Sequence, residues 1–379
     1  MSGWRSFLRR FRAMFAKEFV QMRRDRLTFA MMVGIPVMQL LLFGFAINTD
    51  PKHLPTALLA LDNSVYARSI AAALQNSGYF AITRRPASAA ELDRLLQAGR
   101  VQFGVEIPTD FARDLLRGER PALLVVADAT DPSATGNAVA ALSQLAATAL
   151  RRDLDGPNIG LAAPPGAFEI LVHRRYNPAG DTQLNIVPAL LGVVLTLTML
   201  VFTALAVTRE IERGTMEKLL AMPVRPVEVM LGKILPYVFV GFGQTALILA
   251  AARLVFGVPV RGSLGLLLAL TVLFIAAMLS VGYSFSTLAR NQLQAVQMSF
   301  FFFLPNLLLS GFMFPFRGMP EWAQWLGELL PLTHFLRIIR GILLKGSGLA
   351  EIYPDALALA AFTLTVMAVA LMRYRQTLD

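Results

Sequence analysis

The sequence contains no cysteine. That excludes disulfides, thiolate metal sites and cysteine nucleophiles, and leaves the compartment open. It has three histidines, His53, His173 and His334, too far apart in sequence to show a metal-ligand spacing. No metal site is therefore expected. No G-x-x-x-x-G-K-[ST] stretch occurs, so ATP binding through a phosphate-binding loop is not expected either. Neither a Ser/His/Asp arrangement nor a catalytic pair of carboxylates stands out, which argues against an enzyme. Charge is also scarce: 16% of residues, against about 25% in a soluble domain. The shortfall is concentrated in long apolar runs, 55% of residues are hydrophobic, and the mean hydropathy is +0.56. These features describe a polytopic membrane protein. The net charge of +10 comes from basic residues clustered at the ends of those runs. That distribution suits an anionic inner leaflet better than nucleic acid, so membrane lipid is an expected partner and nucleic acid is not.

Residues 1–26 form a basic amphipathic segment, with Trp4, Phe7, Leu8, Phe11 and Phe15 on one helical face. Residues 27–47 are a first span. It is longer than a signal-peptide core and lacks a small-residue cleavage site, so it reads as a retained anchor. Residues 48–183 differ in kind. Strand patterns at Thr56–Leu61, Tyr79–Thr83, Val101–Ile107, Leu123–Ala127 and Phe168–Arg174 alternate with helical ones at Ser64–Gln75, Ser88–Ala98, Pro108–Leu116 and Ala134–Leu150. This pattern predicts a small α/β domain. Five further spans are predicted within Asn185–Val207, Ile234–Phe256, Leu264–Leu288, Gln294–Phe314 and Ala356–Met372. Between the last two, residues 315–345 are broken by Pro315, Pro320 and Pro331 and charged by Arg337 and Arg340. They read as short re-entrant or interfacial helices with Trp322 and Trp325 at the interface.

The predicted fold is thus an α-helical polytopic membrane protein of six transmembrane helices, with an α/β extracytoplasmic domain inserted between the first and second spans. Positive charge in the N-terminal segment, in residues 208–233 and in the tail places both termini in the cytoplasm. Residues 315–353, with Arg317, Arg337, Arg340 and Lys345, fit that rule less well. No Asp or Glu lies within any of the six predicted cores, which disfavours a self-powered, ion-coupled transporter. Phe301 and Asn306 are candidates for a translocation path, against the competing reading of lipid contact or helix packing.

One stretch stands apart. Arg209 to Pro223 is densely charged, yet it lies between Thr182–Thr208 and Ile234–Ala252, which carry no charge. A charged helix so placed must sit in water at the membrane face, where something outside the membrane can push on the spans.

Three groups of residues resemble a known family. The first is Lys17-Glu18-Phe19 with Arg24-Asp25. The second is Glu212 to Leu220, then Pro223, Gly232-Lys233 and Pro236-Tyr237. The third is Leu309 to Pro315, Met319-Pro320, Pro331-Leu332-Thr333, Arg340-Gly341 and Leu344-Lys345-Gly346. Together with the order of spans they resemble the type-2 permease subunits of ATP-binding cassette (ABC) exporters, in the bacterial multidrug-efflux, YhhJ/YbhS-like branch. The resemblance implies a permease core over residues 184–379, with a cytoplasmic coupling helix near 209–222. Glu212, Arg213, Gly214, Thr215, Met216, Glu217, Lys218 and Leu219 would dock on a separate ABC ATPase. The Lys17, Glu18, Arg24 and Asp25 elbow would press on that subunit or on headgroups. It further implies a second permease copy or close paralogue, ATP and Mg bound by the partner subunit and not by this chain, and a periplasmic adaptor as a further partner. The expected location is the bacterial inner membrane, and the expected cargo is amphipathic or hydrophobic. The alternative is a non-transporting membrane-anchored surface or sensor protein whose outside domain is the functional part.

Overall fold

The computed structural model describes residues 42, 50–154, 166–212 and 226–372. Residues 54–175 form an α/β unit: β1 (Leu54–Ala60), α1 (Val65–Asn76), β2 (Phe80–Arg84), α2 (Ala89–Gln97), β3 (Phe103–Ile107), α3 (Phe111–Leu116), β4 (Ala122–Asp128), α4 (Pro132–Thr148) and β5 (Glu169–Arg175). The five strands lie in the order β2-β1-β3-β4-β5. All pairs are parallel except β3 with β4. Strand periodicity puts Phe103, Val105 and Ile107 on one face of β3, where they join Phe80, Phe111 and Phe168 in a core shielded from water. The Phe80 and Phe103 rings meet edge to face at 5.1 Å.

Helix starts follow local polar chemistry. Ser88 Oγ accepts from Glu91 N at 3.3 Å and the Glu91 carboxylate accepts from Ala87 N at 2.9 Å, a near relative of the predicted capping box. The helix expected from Pro108 begins only at Phe111. Asp110, at φ 59°, makes no cap bond. The orphan N–H of Ala112 is satisfied by the Asp62 carboxylate at 2.8 Å, from the loop after β1. Asp62 also accepts from Ser64 N at 2.6 Å. Burial pushes this carboxyl up, but the bonds from Ala112 and Ser64 outweigh it and hold Asp62 below the usual aspartate value.

Among the described residues five long helices follow: α5 (Thr182–Glu212), α6 (Pro226–Leu254), α7 (Leu264–Leu288), α8 (Gln292–Leu309) and, after two short helices, α11 (Leu349–Met372). Each is long and apolar enough to cross a membrane. At 31 residues, α5 spans about 46 Å, well beyond a hydrocarbon core of about 30 Å. Lipid gives helices no hydrophobic reason to associate, so close backbone approach must do that work. At Gly282 of α7, an added Cβ would stand 2.6 Å from the Leu200 carbonyl oxygen of α5. Buried hydroxyls turn inward: Thr196, Thr245 and Thr271 each donate to the carbonyl four residues earlier. Thr198 also donates to Gln244 Oε1 at 2.9 Å, joining α5 to α6.

Between α8 and α11 lie α9 (Glu321–Glu328) and α10 (Pro331–Arg340), too short to cross a membrane. Trp322 and Trp325 are exposed on α9, while α10 is largely buried. The Phe335 ring stacks on Phe274 of α7 with centroids 4.1 Å apart. At Gly192 of α5 a Cβ would meet Leu332 of α10 at 2.7 Å. The last helix starts seven residues before the predicted Ala356, so it carries Glu351 and Asp355 on its opening turns. Leu42, from the stretch expected as the first span, is buried with Leu308, Leu309 and Met319.

Candidate functional site

Two junctions mark the two ends of α5. At the α/β end, α10 runs into a wide turn, Gly341–Lys345, closed by Gly346 at φ +73°, the left-handed conformation that suits glycine at a helix C-terminus. That turn aims Lys345 at the α/β unit. Lys345 Nζ donates to the Asp128 carboxylate at the end of β4 and to Leu96 O of α2 at 3.3 Å, and lies 5.4 Å from the Tyr176 ring centroid. The lysine and aspartate side chains are only 9% and 7% exposed. Asp128 is itself oriented, accepting from Thr130 Oγ1 at 2.8 Å and Thr130 N at 3.2 Å. A buried ion pair of this kind is costly to leave half-formed. It fastens the α/β unit to the short helices of the membrane part.

A second cluster braces the same end. Arg337 makes a fork with the Glu328 carboxylate at 2.6 and 3.0 Å, reaches Asp355 at 3.4 Å and lies over the Phe316 ring at 4.6 Å. The imidazole of His334 bridges two acceptors. Its Nε2 donates to Glu328 O at 2.8 Å, and its Nδ1 lies 2.8 Å from Asp355 Oδ1. A carbonyl can only accept, and a neutral imidazole carries one N–H. Both contacts are satisfied when a second proton sits between His334 and Asp355. This cluster ties α9 and α10 to α11.

The other end is built differently. Glu212, the last residue of α5, accepts from Gln292 N at 2.7 Å and from Gln292 Nε2 at 2.5 Å. These bonds, the side-chain one foremost, hold the Glu212 carboxyl below the usual glutamate range. Gln292 opens α8, so Glu212 serves the positive N-terminal end of that helix. The bonds are exposed to water, and among the described residues they lie beyond a small buried cluster in which Ala204 of α5 packs with Ala295 near the start of α8.

Of the expected coupling residues, Glu212 is placed at this joint. Arg213, Gly214, Thr215, Met216, Glu217, Lys218 and Leu219 lie outside the described residues, as do Lys17, Glu18, Arg24 and Asp25 of the elbow. Phe301 and Asn306 share α8 but not a surface: Phe301 is 43% exposed and Asn306 fully buried. Asn306 Nδ2 donates to Phe302 O at 2.9 Å, and its Oδ1 has no partner among the described residues.

The Lys345–Asp128 pair was not singled out from sequence, because its members stand 217 residues apart. A signal existed in the excess of cations in residues 315–353. Lys345 and Arg337 are there because carboxylates are waiting for them.

Similarity to known proteins agrees with this architecture. Residues 26–372 match the family described as ABC-2 family transporter protein. The chain is 30% identical over 373 residues to the probable multidrug ABC transporter permease YbhS of Escherichia coli (strain K12), covering 98% of each chain. It is 27% identical over 360 residues to the probable multidrug ABC transporter permease YbhR of the same organism, covering 95% of this chain and 96% of the relative. Over 309 residues, 77% of each chain, it is 32% identical to the inner membrane transport permease YhhJ, also of Escherichia coli (strain K12). A helical membrane protein with five described spans, matched almost end to end by this family and by permeases of ABC transporters, this chain belongs to the ABC-2 family of transporter proteins.

Proposed function

We propose that this chain is the membrane-spanning permease subunit of an ATP-driven exporter that moves an amphipathic or hydrophobic, drug-like or lipid-like, substrate out of the cytoplasm or inner leaflet. ATP and Mg bind a separate ABC ATPase subunit, and this chain performs no hydrolysis itself. Two permeases, identical or closely related, form the path, and the complex sits in a bacterial inner membrane with both chain termini cytoplasmic. Residues 27–47 supply a sixth span, which the burial of Leu42 beside α8 supports. The α/β unit then lies outside the cytoplasm, inserted between the first and second spans, where it caps the exit or meets a periplasmic adaptor.

The observation that carries this reading is the Glu212–Gln292 joint. The charged segment 209–222 continues from α5, and Glu212 grips the start of α8. A subunit that docks on Glu212–Leu219 and shifts that segment therefore pulls on two spans at once. α5 is continuous over 31 residues, so displacement at one end reaches the α/β end as a rigid tilt. Closure of the ATPase on nucleotide biases the spans between inward-open and outward-open arrangements. The drug-like cargo rests on the similarity to probable multidrug permeases and on spans that offer apolar and aromatic walls.

The test is co-purification with an ABC ATPase subunit. The double variant Glu212→Lys/Glu217→Lys is expected to lose ATPase association and stimulation while remaining in the membrane. Normal binding and normal stimulation in that variant would refute the docking role and favour a surface protein whose outside domain is the working part.

A further inference from the structure

The junction that holds Lys345 also encloses a cavity of about 320 Å³ between the α/β unit, the short helices and the first turns of α11. Five cationic and four carboxylate side chains line it. Most of the carboxylates are committed elsewhere. Asp128 pairs with Lys345, and Asp355 with Arg337 and His334. Asp131 caps α4 by accepting from Ser133 N and Oγ and also accepts from Asn185, while Glu351 accepts from Gly348 N at 2.7 Å. Arg340, Arg100 and Arg317 are left with no carboxylate within ion-pair distance among the described residues.

Arg340 is the telling one. Its Nη1 donates to Gly311 O at 3.0 Å. Its Nε and Nη2 are shut off from bulk water and have no partner among the described residues. In a guanidinium these two N–H groups lie side by side and parallel, the edge that grips two oxygens of one carboxylate or phosphate. Leaving such an edge desolvated and empty is unfavourable, and more so for a charged group. Arg100 and Arg317 stand exposed on the same wall. The neighbouring α9 presents Trp322 and Trp325 to the outside, the residues that favour the headgroup level of a bilayer.

We propose that this cavity binds a phosphate oxyanion, with Arg340 as its two-pronged anchor and Arg100 and Arg317 at the rim. The phosphate comes either from a lipid headgroup entering at the membrane face or from a free phosphate in the surrounding water. Binding there fastens the α/β unit to the membrane part independently of what is exported.

The experiment uses the full chain in lipid nanodiscs and has two arms. Equilibrium dialysis with radiolabelled inorganic phosphate reads the free anion. Native mass spectrometry, after incubation in phosphatidylcholine discs with or without phosphatidylglycerol, reads the retained anionic lipid. The wild-type chain is expected to hold one phosphate-bearing molecule in at least one arm. Retention of phosphatidylglycerol alone assigns the lipid source, and inorganic phosphate alone assigns the soluble one. Arg340→Lys keeps the charge and loses the fork, and is expected to weaken binding at least tenfold. Arg100→Glu alters only the exposed rim and is expected to weaken it about threefold or more. Absence of binding in both arms overturns the proposal, as does unchanged binding in Arg340→Lys. Should Arg340→Lys fail to fold, unchanged binding in Arg100→Glu overturns it instead.

Discussion

The two ends of α5 are held by opposite kinds of joint. At the α/β end, Lys345 and Asp128 are buried and share their contacts with Leu96, Thr130 and Tyr176, and the His334–Arg337–Asp355 cluster braces the helices alongside. At the other end, Glu212 meets Gln292 in the open. A buried charge pair resists separation because each partner alone is poorly solvated. An exposed hydrogen bond exchanges with water and contributes little net stability. The lesson is mechanical: the α/β end is fastened by buried charge, and the Glu212 end is held by exposed hydrogen bonds, which suits the proposed docking of a subunit there.

The most severe way to break the contrast is Lys345→Met, which strands Asp128. A loss of about 3–5 kcal/mol is expected, read by denaturant unfolding in micelles. Lys345→Met/Asp128→Leu should recover most of that loss, and a double variant as unstable as the single would show that the pair is not the fastening. Next in size is the packing of the lever itself. Gly282→Ala forces a methyl group against the Leu200 carbonyl and should cost about 1–3 kcal/mol. Gly243→Ala meets no atom within 4 Å and should be neutral or slightly stabilising. Equal effects at the two glycines would show that α5 and α7 are not in close register.

A smaller effect concerns acid. The folded Asp62 carboxyl lies below the ordinary aspartate value of 3.8. Its contribution is therefore complete above that value and is lost as pH falls through the folded one. Asp62→Asn should cost about 1 kcal/mol at neutral pH and flatten the decline in stability below about pH 4, followed by circular dichroism. An unchanged acid limb would show that Asp62 is not the source of that sensitivity. Smallest in stability is Glu212→Gln, expected to leave the unfolding midpoint essentially unchanged because the site is exposed.

Much of this was legible in the residues, for reasons that differ by region. Alternation in Val101–Ile107 and the unbroken uncharged run Leu264–Leu288 are local signals, and the strand and the span appear where those signals lie. Boundaries that depend on distant partners were not legible. The predicted span opens at Ala356, yet α11 begins at Leu349 and takes in Glu351 and Asp355; Asp355 is tolerated because His334 and Arg337 neutralise it from another helix. The start of α3 was placed too early because its cap comes from Asp62, 50 residues before Ala112. Lys345 and Asp128 carry no local pattern at all. The pairing of Glu212 with α8 was equally hidden, although the charged segment that begins there was the most distinctive feature of the chain.

The central claim is that this chain is a gate driven at its Glu212 end by an ATPase it does not contain. Uphill dye export by proteoliposomes, measured per ATP hydrolysed, tests it most directly. Export should require both the ATPase subunit and ATP, and Glu212→Gln should lower export per ATP at least fivefold while hydrolysis continues. Uphill export by the wild-type chain alone, verified free of any nucleotide hydrolase, or an unchanged ratio in Glu212→Gln, would contradict it.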